Sequence, residues 1–200
     1  MQSDVTTPNL VIIELKWSDF VMAVIETSRL RLRPIAQADA VDLFQVLRDA
    51  DVVRYLRYQQ ATDLAAIQQE ITEHFGRDTS TVFGIELKSS NRLVGFFEFH
   101  PNGNSGILTY ALAQADWGKG IVPEAGQALV RYGFETLNFQ RLEAHYAAIN
   151  HKSARVMAKL GMIDRGKIQD FRSQTGEIIS VKAYDLTKEQ WQAEQLSALG

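Results

Sequence analysis

Hydrophobic and polar residues follow two different periods in the first half of this chain. Between residues 28 and 34, apolar side chains alternate with arginines, which is the period of a strand with one buried face. Over 36–48 and 63–76 the apolar positions recur every three or four residues instead, which predicts two amphipathic helices. Thr62 or Asp63 suits the N-cap of the second helix. The apolar helix positions are Ala40, Leu43, Phe44, Leu47, Leu64, Ile67, Ile71 and Phe75.

The second half of the chain predicts more strands than helices. Three strand patterns joined by turn-forming residues come first, and they predict an antiparallel meander. A helix at 120–137 then leads to a strand at 141–148, so this helix forms a crossover that returns to the sheet. A short helix at 150–160 stops at Gly161, which suits the C′ position. The other strand patterns lie at 81–87, 92–100, 106–113, 162–171 and 177–186.

The first 24 residues do not continue this regular pattern. Residues 1–8 are polar, whereas residues 9–24 have a strand-like apolar composition that charged residues interrupt. This second segment is an added hairpin, an interface arm or a disordered leader, and the sequence leaves the three open. We expect residues 1–24 to be an N-terminal extension and residues 25–195 to form one domain.

Composition narrows the classes of function. The 200 residues carry a net charge of -3, and the basic residues are scattered, so nucleic acid is not expected as a partner. No apolar run approaches the roughly 20 residues that cross a bilayer, so no membrane partner is expected. Cysteine is absent, which excludes disulfides, thiolate metal ligands and a cysteine nucleophile. We expect a cytoplasmic protein without a metal, acting as a monomer or homodimer.

A glycine-bracketed turn at residues 117–125, with the sequence WGKGIVPEA, lies between a strand pattern and a helix pattern. Gly118 and Gly120 permit a tight turn and close approach of a ligand, and the unpaired N–H groups at the start of the helix attract negative charge. A P-loop is excluded because no Gly-Lys pair precedes Ser or Thr. A dinucleotide fingerprint is excluded because Pro123 occupies the third glycine position. The turn therefore predicts a phosphate or pyrophosphate site, with an ordinary strand-to-helix turn as the alternative.

Four segments share their order and residue patterns with one known family. They are residues 25–34, 117–125, 150–162 with its N-x-x-S pattern, and 184–191. In this combination the chain resembles the GNAT superfamily of acyl-CoA N-acyltransferases, and more narrowly its branch of RimJ- and RimL-type ribosomal-protein N-terminal acetyltransferases. Three residues depart from the family pattern. Ala115 stands where Gln or Arg is common, and Val122 and Pro123 stand where this branch commonly has Ala and a residue with a free N–H group.

The resemblance implies an α+β fold whose central, mostly antiparallel twisted sheet has about seven strands and is flanked by helices. It also implies acetyl-CoA as co-substrate and no metal. Backbone groups of the third meander strand would bind the pantetheine arm, and N–H groups of the glycine turn would hold the pyrophosphate, with Lys119 adding positive charge. The residues that the resemblance assigns to cofactor binding are Tyr110, Ala111, Leu112, Gly118, Lys119, Gly120, Ile121, Val122, Asn150 and Ser153.

Amide formation from a thioester needs a proton donor for the departing thiolate and a base for the amine. The resemblance implies that Ser153 is the donor, and the alternative is that Ser153 or Asn150 merely caps the short helix. Glu98 and His100 share one face of their predicted strand, and either residue could take the proton of the amine directly or through water. The alternative for both is an ordinary solvent-facing strand. We take Ser153 and Glu98 as the catalytic pair.

The implied function is an N-acetyltransferase that moves an acetyl group from acetyl-CoA to a primary amine by direct attack in a ternary complex. The acceptor stays open between a protein N-terminus and a small molecule such as a polyamine, an amino acid or an aminoglycoside-like drug. A catalytically inactive CoA-binding sensor or scaffold of the same fold is the alternative, and the apolar segment at 10–24 could serve as an interaction module in either case. Arg29, Arg31 and Arg33 predict a solvated face, with an acidic acceptor partner as the alternative.

Overall fold

The structure, a computed structural model, describes residues 11–17, 20–172 and 177–198, and these form nine strands and six α-helices. No helix in these described ranges is long and apolar enough to cross a membrane. The strands are β1 (Val11–Trp17), β2 (Phe20–Glu26), β3 (Leu30–Arg33), β4 (Val82–Leu87), β5 (Arg92–Asn102), β6 (Ser105–Leu112), β7 (Arg141–Ala147), β8 (Ile163–Arg172) and β9 (Ile178–Thr187). The helices are α1 (Ala40–Leu47), α2 (Ala50–Val53), α3 (Leu64–Glu70), α4 (Ile121–Glu135), α5 (His151–Lys159) and α6 (Lys188–Ser197).

All described strands belong to one sheet, in the order β1-β2-β3-β4-β5-β6-β7-β9-β8. Neighbouring strands are antiparallel except β6 and β7, which are parallel because α4 carries the chain across the sheet between them. The α+β fold with a mostly antiparallel sheet is confirmed. The expected number of about seven strands is too low, because β1 and β2 pair as an antiparallel hairpin from Val11↔Glu26 to Trp17↔Phe20 and extend one edge. The domain boundary predicted after residue 24 falls within β2.

Strand β5 is buried on both faces, so its side chains alternate between two hydrophobic cores. Phe97 and Phe99 belong to the core that α4 covers, together with Leu129 of that helix. Phe96 belongs to the core beneath α1 and α3, where it lies edge-on to Phe75 with ring centroids 4.9 Å apart. Strand β5 therefore lies between two layers of helices. Its side chains point alternately toward α4 and toward α1 and α3.

The helix ends follow the sequence signals, although the first two predicted helices are not α-helical over their whole length. Asp63 accepts a hydrogen bond from the Ala66 N–H as N-cap of α3, and Gly161 has the positive φ of 76° that the end of α5 requires. The helix predicted over 36–48 begins as a 3-10 turn at Gln37–Asp39 before α1. The helix predicted over 63–76 widens after α3 into a π-helical turn at Ile71–Phe75. Such turns are common at functional sites.

A wedge opens in the middle of the sheet between β6 and β7. Their parallel pairing runs from Ser105↔Arg141 to Leu108↔Ala144, and no further pair between these two described strands follows. Beyond that point β6 stays paired with β5, while β7 stays paired with β9. The residues of β6 after Leu108 therefore have an edge without a strand partner, and the glycine turn and the start of α4 follow directly beyond it.

Candidate active site

Two glycines shape the turn at the mouth of the wedge. Gly118 and Gly120 have φ angles of 77° and 75°, in the left-handed region that favours glycine. Gly120 is the N-cap of α4 and offers no side chain to satisfy the first N–H groups of that helix, so these groups remain available to an anion. Pro123 lies in the first helical turn, where its missing N–H breaks no intrahelical bond. The predicted anion site therefore has the required backbone geometry.

Glu124 fixes this turn to the loop before β3. Its carboxylate accepts hydrogen bonds from the Thr27 hydroxyl at 2.5 Å, the Arg29 N–H at 3.0 Å and the Arg29 Nε at 2.6 Å. Burial opposes the charge of Glu124, but these donors outweigh that cost and hold the pKa of its carboxyl below the usual value. Arg29 Nη1 also donates to the Lys119 carbonyl at 3.0 Å. Arg29 thus holds the glycine turn in place, while 51% of its side chain remains exposed as expected for a solvated face.

The two arginines of β3 are paired as well. Arg31 Nη1 lies 2.5 Å from Glu86 Oε1, and Arg33 Nε lies 2.6 Å from Glu86 Oε2. Arg33 also forms a bidentate pair with Asp39, which holds the pKa of the Arg33 guanidinium above its usual value. The partners lie on β4 and in the turn before α1, so this ion-pair network explains the arginines structurally.

The Lys119 ammonium is held by an ion pair within the glycine turn. Its Nζ lies 2.9 Å from the buried Asp116, which also pairs with Arg92 at 2.8 Å. Burial of Asp116 is outweighed by these two donors, so its pKa is lowered. The Trp117 indole N–H donates to the Leu112 carbonyl at 2.8 Å, and the Lys152 ammonium lies 3.8 Å from the Trp117 ring centroid. Contacts therefore fix both ends of the glycine turn, those of Asp116 and Trp117 at its start and those of Glu124 at its end.

The pairing of β6 with β5 decides which backbone groups face the wedge. The Ala113 N–H donates to the Val94 carbonyl at 2.8 Å, and antiparallel pairing alternates along a strand, so Ala111 and Thr109 also direct their backbone groups toward β5. The N–H and C=O groups of Tyr110 and Leu112 consequently point away from β5 toward the wedge, and of these the Leu112 carbonyl accepts the hydrogen bond from the Trp117 indole. Of the three predicted strand residues, these two have backbone groups aimed at a ligand there.

Polar side chains approach the wedge from the α4 side of the sheet. The Tyr110 ring stacks on Phe97 with centroids 5.5 Å apart, and its buried hydroxyl lies near the Ser153 side chain without a well-formed hydrogen bond to any described residue. Burial raises the pKa of Tyr110 to about 12, and the nearby Ser153 side chain partly offsets that rise. An orphaned buried hydroxyl beside Ser153 fits a site that a polar ligand group completes.

The short helix α5 places Ser153. Asn150 is its N-cap, because its side-chain oxygen accepts a hydrogen bond from the Ser153 N–H at 3.2 Å. The capping role considered for Asn150 is therefore present, while Ser153 is the capped residue and its hydroxyl is not used in the cap. Asn150 keeps its amide N–H₂ as a donor for a ligand. Both predicted residues thus lie at the start of the same helix.

Glu98 lies on the opposite face of the sheet, next to the point where the wedge begins. It pairs across the sheet with Thr109, the first β6 residue beyond the end of the β6–β7 pairing. Only 2% of Glu98 is exposed, so the interpretation as a solvent-facing residue is wrong for this side chain. His100, on the same face of β5, is 45% exposed and has its Nε2 atom 3.1 Å from Thr109 Oγ1. The two candidate bases therefore lie together beside the wedge.

Three side chains contact the Glu98 carboxylate. The Tyr58 hydroxyl donates to Oε2 at 2.5 Å, His74 Nε2 lies 2.9 Å from Oε1, and His100 Nε2 lies 3.4 Å from Oε2. Tyr58 and His74 were not singled out from the sequence, because no motif marks them and they lie 40 and 24 positions before Glu98. A cavity of about 450 Å³ opens on this cluster and is lined by Glu73, His74, Arg77, Asp78, Thr81, Val82, Glu98, Phe99, His100 and Pro101.

A second cavity, of about 400 Å³, lies away from these residues. Asn104, Ser105 and Arg141 line it at the end of β6 and β7 where the two strands are still paired. Its lining is polar and contains none of the predicted site residues. The predicted site residues therefore lie at the wedge and the Glu98 cavity, although the second cavity has a similar volume.

The wedge thus has a glycine turn at its mouth, Ser153 and Tyr110 near one face and Glu98 near the other. The model of the acetyltransferase (GNAT) domain family matches residues 29–163. The chain is 30% identical to the uncharacterized N-acetyltransferase p20 of Bacillus licheniformis over 177 residues, which cover 85% of this chain and 99% of the relative. The chain therefore belongs to the GNAT acetyltransferase family, and we describe it as an acetyl-CoA-dependent acyltransferase.

Two further comparisons show the breadth of this family. The putative ribosomal N-acetyltransferase YdaF of Bacillus subtilis is 33% identical over 133 residues, which cover 64% of this chain and 73% of that protein. The crystal structure of spermidine N-acetyltransferase from Vibrio cholerae in complex with CoA and spermine superposes with a TM-score of 0.72 at 18% identity, covering 82% of this chain and 99% of that chain. The predicted relationship to ribosomal-protein acetyltransferases is confirmed at moderate identity, and the second comparison confirms the fold.

Proposed function

We propose that this protein transfers the acetyl group of acetyl-CoA to a primary amine by direct attack in a ternary complex. The observation that carries the proposal is the wedge between β6 and β7, which has Ser153 and Tyr110 near one face and Glu98 near the other. A thioester lying in the wedge would have a proton donor on its thiol side and a base on its amine side. This arrangement supports transfer rather than binding alone.

The cofactor-binding part of the proposal rests on backbone groups. The N–H groups of Gly118 to Val122 would bind the pyrophosphate at the start of α4. The backbone groups of Tyr110 and Leu112 would pair with the pantetheine amides, and the Asn150 amide would donate to the same arm. Acetyl-CoA supplies the activated acetyl group when bound. Lys119 adds a positive charge that Asp116 partly neutralises.

The catalytic part of the proposal assigns a proton acceptor for the amine and a proton donor for the thiolate. The amine enters as an ammonium and must lose a proton, which Glu98 accepts directly or through one water. The amine nitrogen then attacks the thioester carbonyl carbon, so a C–N bond forms as the C–S bond breaks, and the nitrogen loses its second proton to water as the neutral amide forms. Ser153 donates a proton to the departing thiolate and recovers one from water, while the Tyr110 hydroxyl, which keeps its proton near neutral pH, can donate a hydrogen bond to the serine oxygen. No covalent enzyme intermediate is required.

For the acceptor, we propose a chemical class and not a particular molecule. YdaF is named for a ribosomal substrate, and the Vibrio cholerae protein for spermidine. Both acceptors present a primary amine, which is the group that a base beside the wedge can deprotonate. We therefore propose a primary amine on a protein N-terminus or on a small molecule such as a polyamine.

A thiol-release assay tests the proposal directly. The chain has no cysteine, so a thiol reagent reports only CoA that the reaction releases. We expect release from acetyl-CoA with spermidine or with peptides that copy ribosomal-protein N-termini. We expect Ser153→Ala and Glu98→Gln each to lower kcat about a hundredfold or more, with CoA binding unchanged in Glu98→Gln. Lys159→Ala, at an exposed position of α5, serves as the control.

One result would contradict the proposal. Tight binding of CoA with no thiol release from any amine in a broad panel would assign the chain to the CoA-binding sensors or scaffolds instead. Full activity of both Ser153→Ala and Glu98→Gln would leave transfer in place but remove the assigned residues.

A further inference from the structure

We propose that Tyr58 and His74 are positioning residues that donate hydrogen bonds to the Glu98 carboxylate and hold it in a fixed orientation beside the wedge. This inference rests on the proposed role of Glu98 as base. It extends that role to two side chains on the segment between α2 and β4, which also helps to line the Glu98 cavity. The helical layer over this face of the sheet would then take part in the chemistry as well as in packing.

Tyr58 is a fixed donor to Glu98. Its ring stacks on Phe75 with centroids 5.4 Å apart and lies edge-on to Phe96 at 5.3 Å, so the surrounding rings fix its direction. The hydroxyl donates to Glu98 Oε2 at 2.5 Å. Burial, followed by the hydrogen bond to Glu98, raises the pKa of Tyr58 above its usual value. Tyr58 therefore keeps its proton at every pH at which the enzyme would work.

The position of the Tyr58 proton determines the tautomer of His74. A tyrosine hydroxyl has one proton, and Tyr58 donates it to Glu98. His74 Nε2 lies 2.9 Å from the Tyr58 oxygen and 2.9 Å from Glu98 Oε1, so two acceptors face this nitrogen. Nε2 must then carry a hydrogen when Glu98 is ionised, because a bare nitrogen would meet two lone pairs. His74 is thus the second donor to the carboxylate.

The π-helical turn places His74 in this cluster. His74 lies within the turn at Ile71–Phe75, next to Phe75, which is fully buried in the core. His74 is 38% exposed, so one part of the ring reaches solvent while Nε2 reaches Glu98. The widened turn thereby combines a core contact and a cavity contact at consecutive positions.

The two donors offset the cost of removing the Glu98 carboxylate from water. A carboxylate removed from water without donors takes up a proton and can no longer accept one from an amine. Tyr58 and His74 each occupy one oxygen, which leaves further lone pairs free because a carboxylate has about four acceptor sites. His100 Nε2 is a more distant neighbour, 3.4 Å from Oε2, and it also lies 3.1 Å from Thr109 Oγ1. The other ionisable groups around this cluster and cavity are Glu70, Glu73, Arg77 and Asp78, and their mixed signs leave Tyr58 and His74 as the closest donors.

The pH dependence of kcat/KM for the amine tests the inference with three variants. Tyr58→Phe keeps the ring that contacts Phe75 and Phe96 but removes the donor. His74→Leu removes the second donor, whereas His74→Gln keeps an N–H donor. We expect Tyr58→Phe and His74→Leu each to move the acid limb to higher pH by about one unit, with a corresponding loss of roughly tenfold below that limb. His74→Gln should recover most of the loss, and the KM for acetyl-CoA should stay unchanged in all three.

Two controls separate positioning from damage to the fold. Tyr55→Phe makes the same chemical change three residues earlier, at a side chain outside the set that contacts Glu98 in the described chain, and should leave the profile unchanged. In a Glu98→Gln background, Tyr58→Phe and His74→Leu should cause no further loss, because no carboxylate remains to be held. Thermal unfolding of each variant checks that it is folded.

The outcomes distinguish this inference from the proposed function. If Glu98→Gln loses the acid limb while Tyr58→Phe and His74→Leu keep the wild-type profile, the positioning role is overturned and the function stands. Equal losses in His74→Gln and His74→Leu would also overturn it. If Glu98→Gln keeps the wild-type rate and profile, Glu98 is not the base and both the assignment and this inference fail.

Discussion

Gly118 in the anion turn and Gly166 in β8 form a matched pair for testing the turn. Both have a φ angle of 77°, and a Cβ added at either would meet no atom within 4 Å. Replacing either glycine by alanine therefore adds backbone strain without a clash, at a cost of about 1–2 kcal/mol. Only Gly118 belongs to the proposed pyrophosphate site.

The two substitutions should have equal effects on stability and unequal effects on binding. In a chain of this size the strain corresponds to a fall in Tm of about 2–8 °C. If the Gly118→Ala variant relieves its strain by rotating the adjoining peptide, one N–H no longer reaches a pyrophosphate oxygen. A hydrogen bond to a charged group contributes about 1.5–3 kcal/mol, so the Kd for CoA should rise about 10- to 100-fold.

Calorimetric titration with CoA and thermal unfolding together provide the assay. We expect Gly118→Ala to bind CoA more weakly and Gly166→Ala to bind it with the wild-type Kd, while both unfold at similarly lowered temperatures. The reasoning is refuted if Gly118→Ala binds CoA as tightly as the wild type. It is also refuted if Gly166→Ala weakens binding by the same factor, because the loss would then follow general destabilisation.

Two further predictions concern stability. A Cβ at Gly95 would overlap the Ala111 carbonyl oxygen, so Gly95→Ala should force β5 and β6 apart and lower the free energy of unfolding by about 3 kcal/mol, measured in urea. The carboxyl groups of Asp39, Asp116 and Glu124 have lowered pKa values in the folded state, so their contribution is present above the unfolded values near about 4 and is lost as the pH falls toward the folded values. Urea unfolding between about pH 3 and pH 7 should show this loss, and stability that is unchanged down to pH 3 would contradict it.

Local signals made much of the fold predictable. The glycine turn, the cap at Asp63 and the stop at Gly161 each depend on a few neighbouring residues, and all three have the backbone geometry that their residue types require. The alternating and helical periods located the strands and helices for the same reason. The hairpin of β1 and β2 was left open because its composition fits several structures, and pairing with β3 depends on residues outside it.

Long-range contacts explain what the sequence did not reveal about the site. Glu98 was identified from the face it shares with His100, but its burial depends on Tyr58 and His74, which a separate layer of helices brings to it. The arginines of β3 were misread for a similar reason. Arg31 and Arg33 pair with Glu86 from positions 55 and 53 residues away, and no local pattern indicates such a partner.

A crystal structure with CoA bound tests the central claim most directly. The account predicts that the pyrophosphate lies against the N–H groups of Gly118 to Val122 and that the pantetheine arm runs in the wedge, paired with the backbone of Tyr110 and Leu112. The thiol should end between Ser153 and the face that bears Glu98. CoA bound outside the wedge, with β6 and β7 unoccupied between Thr109 and Ala147, would contradict the account.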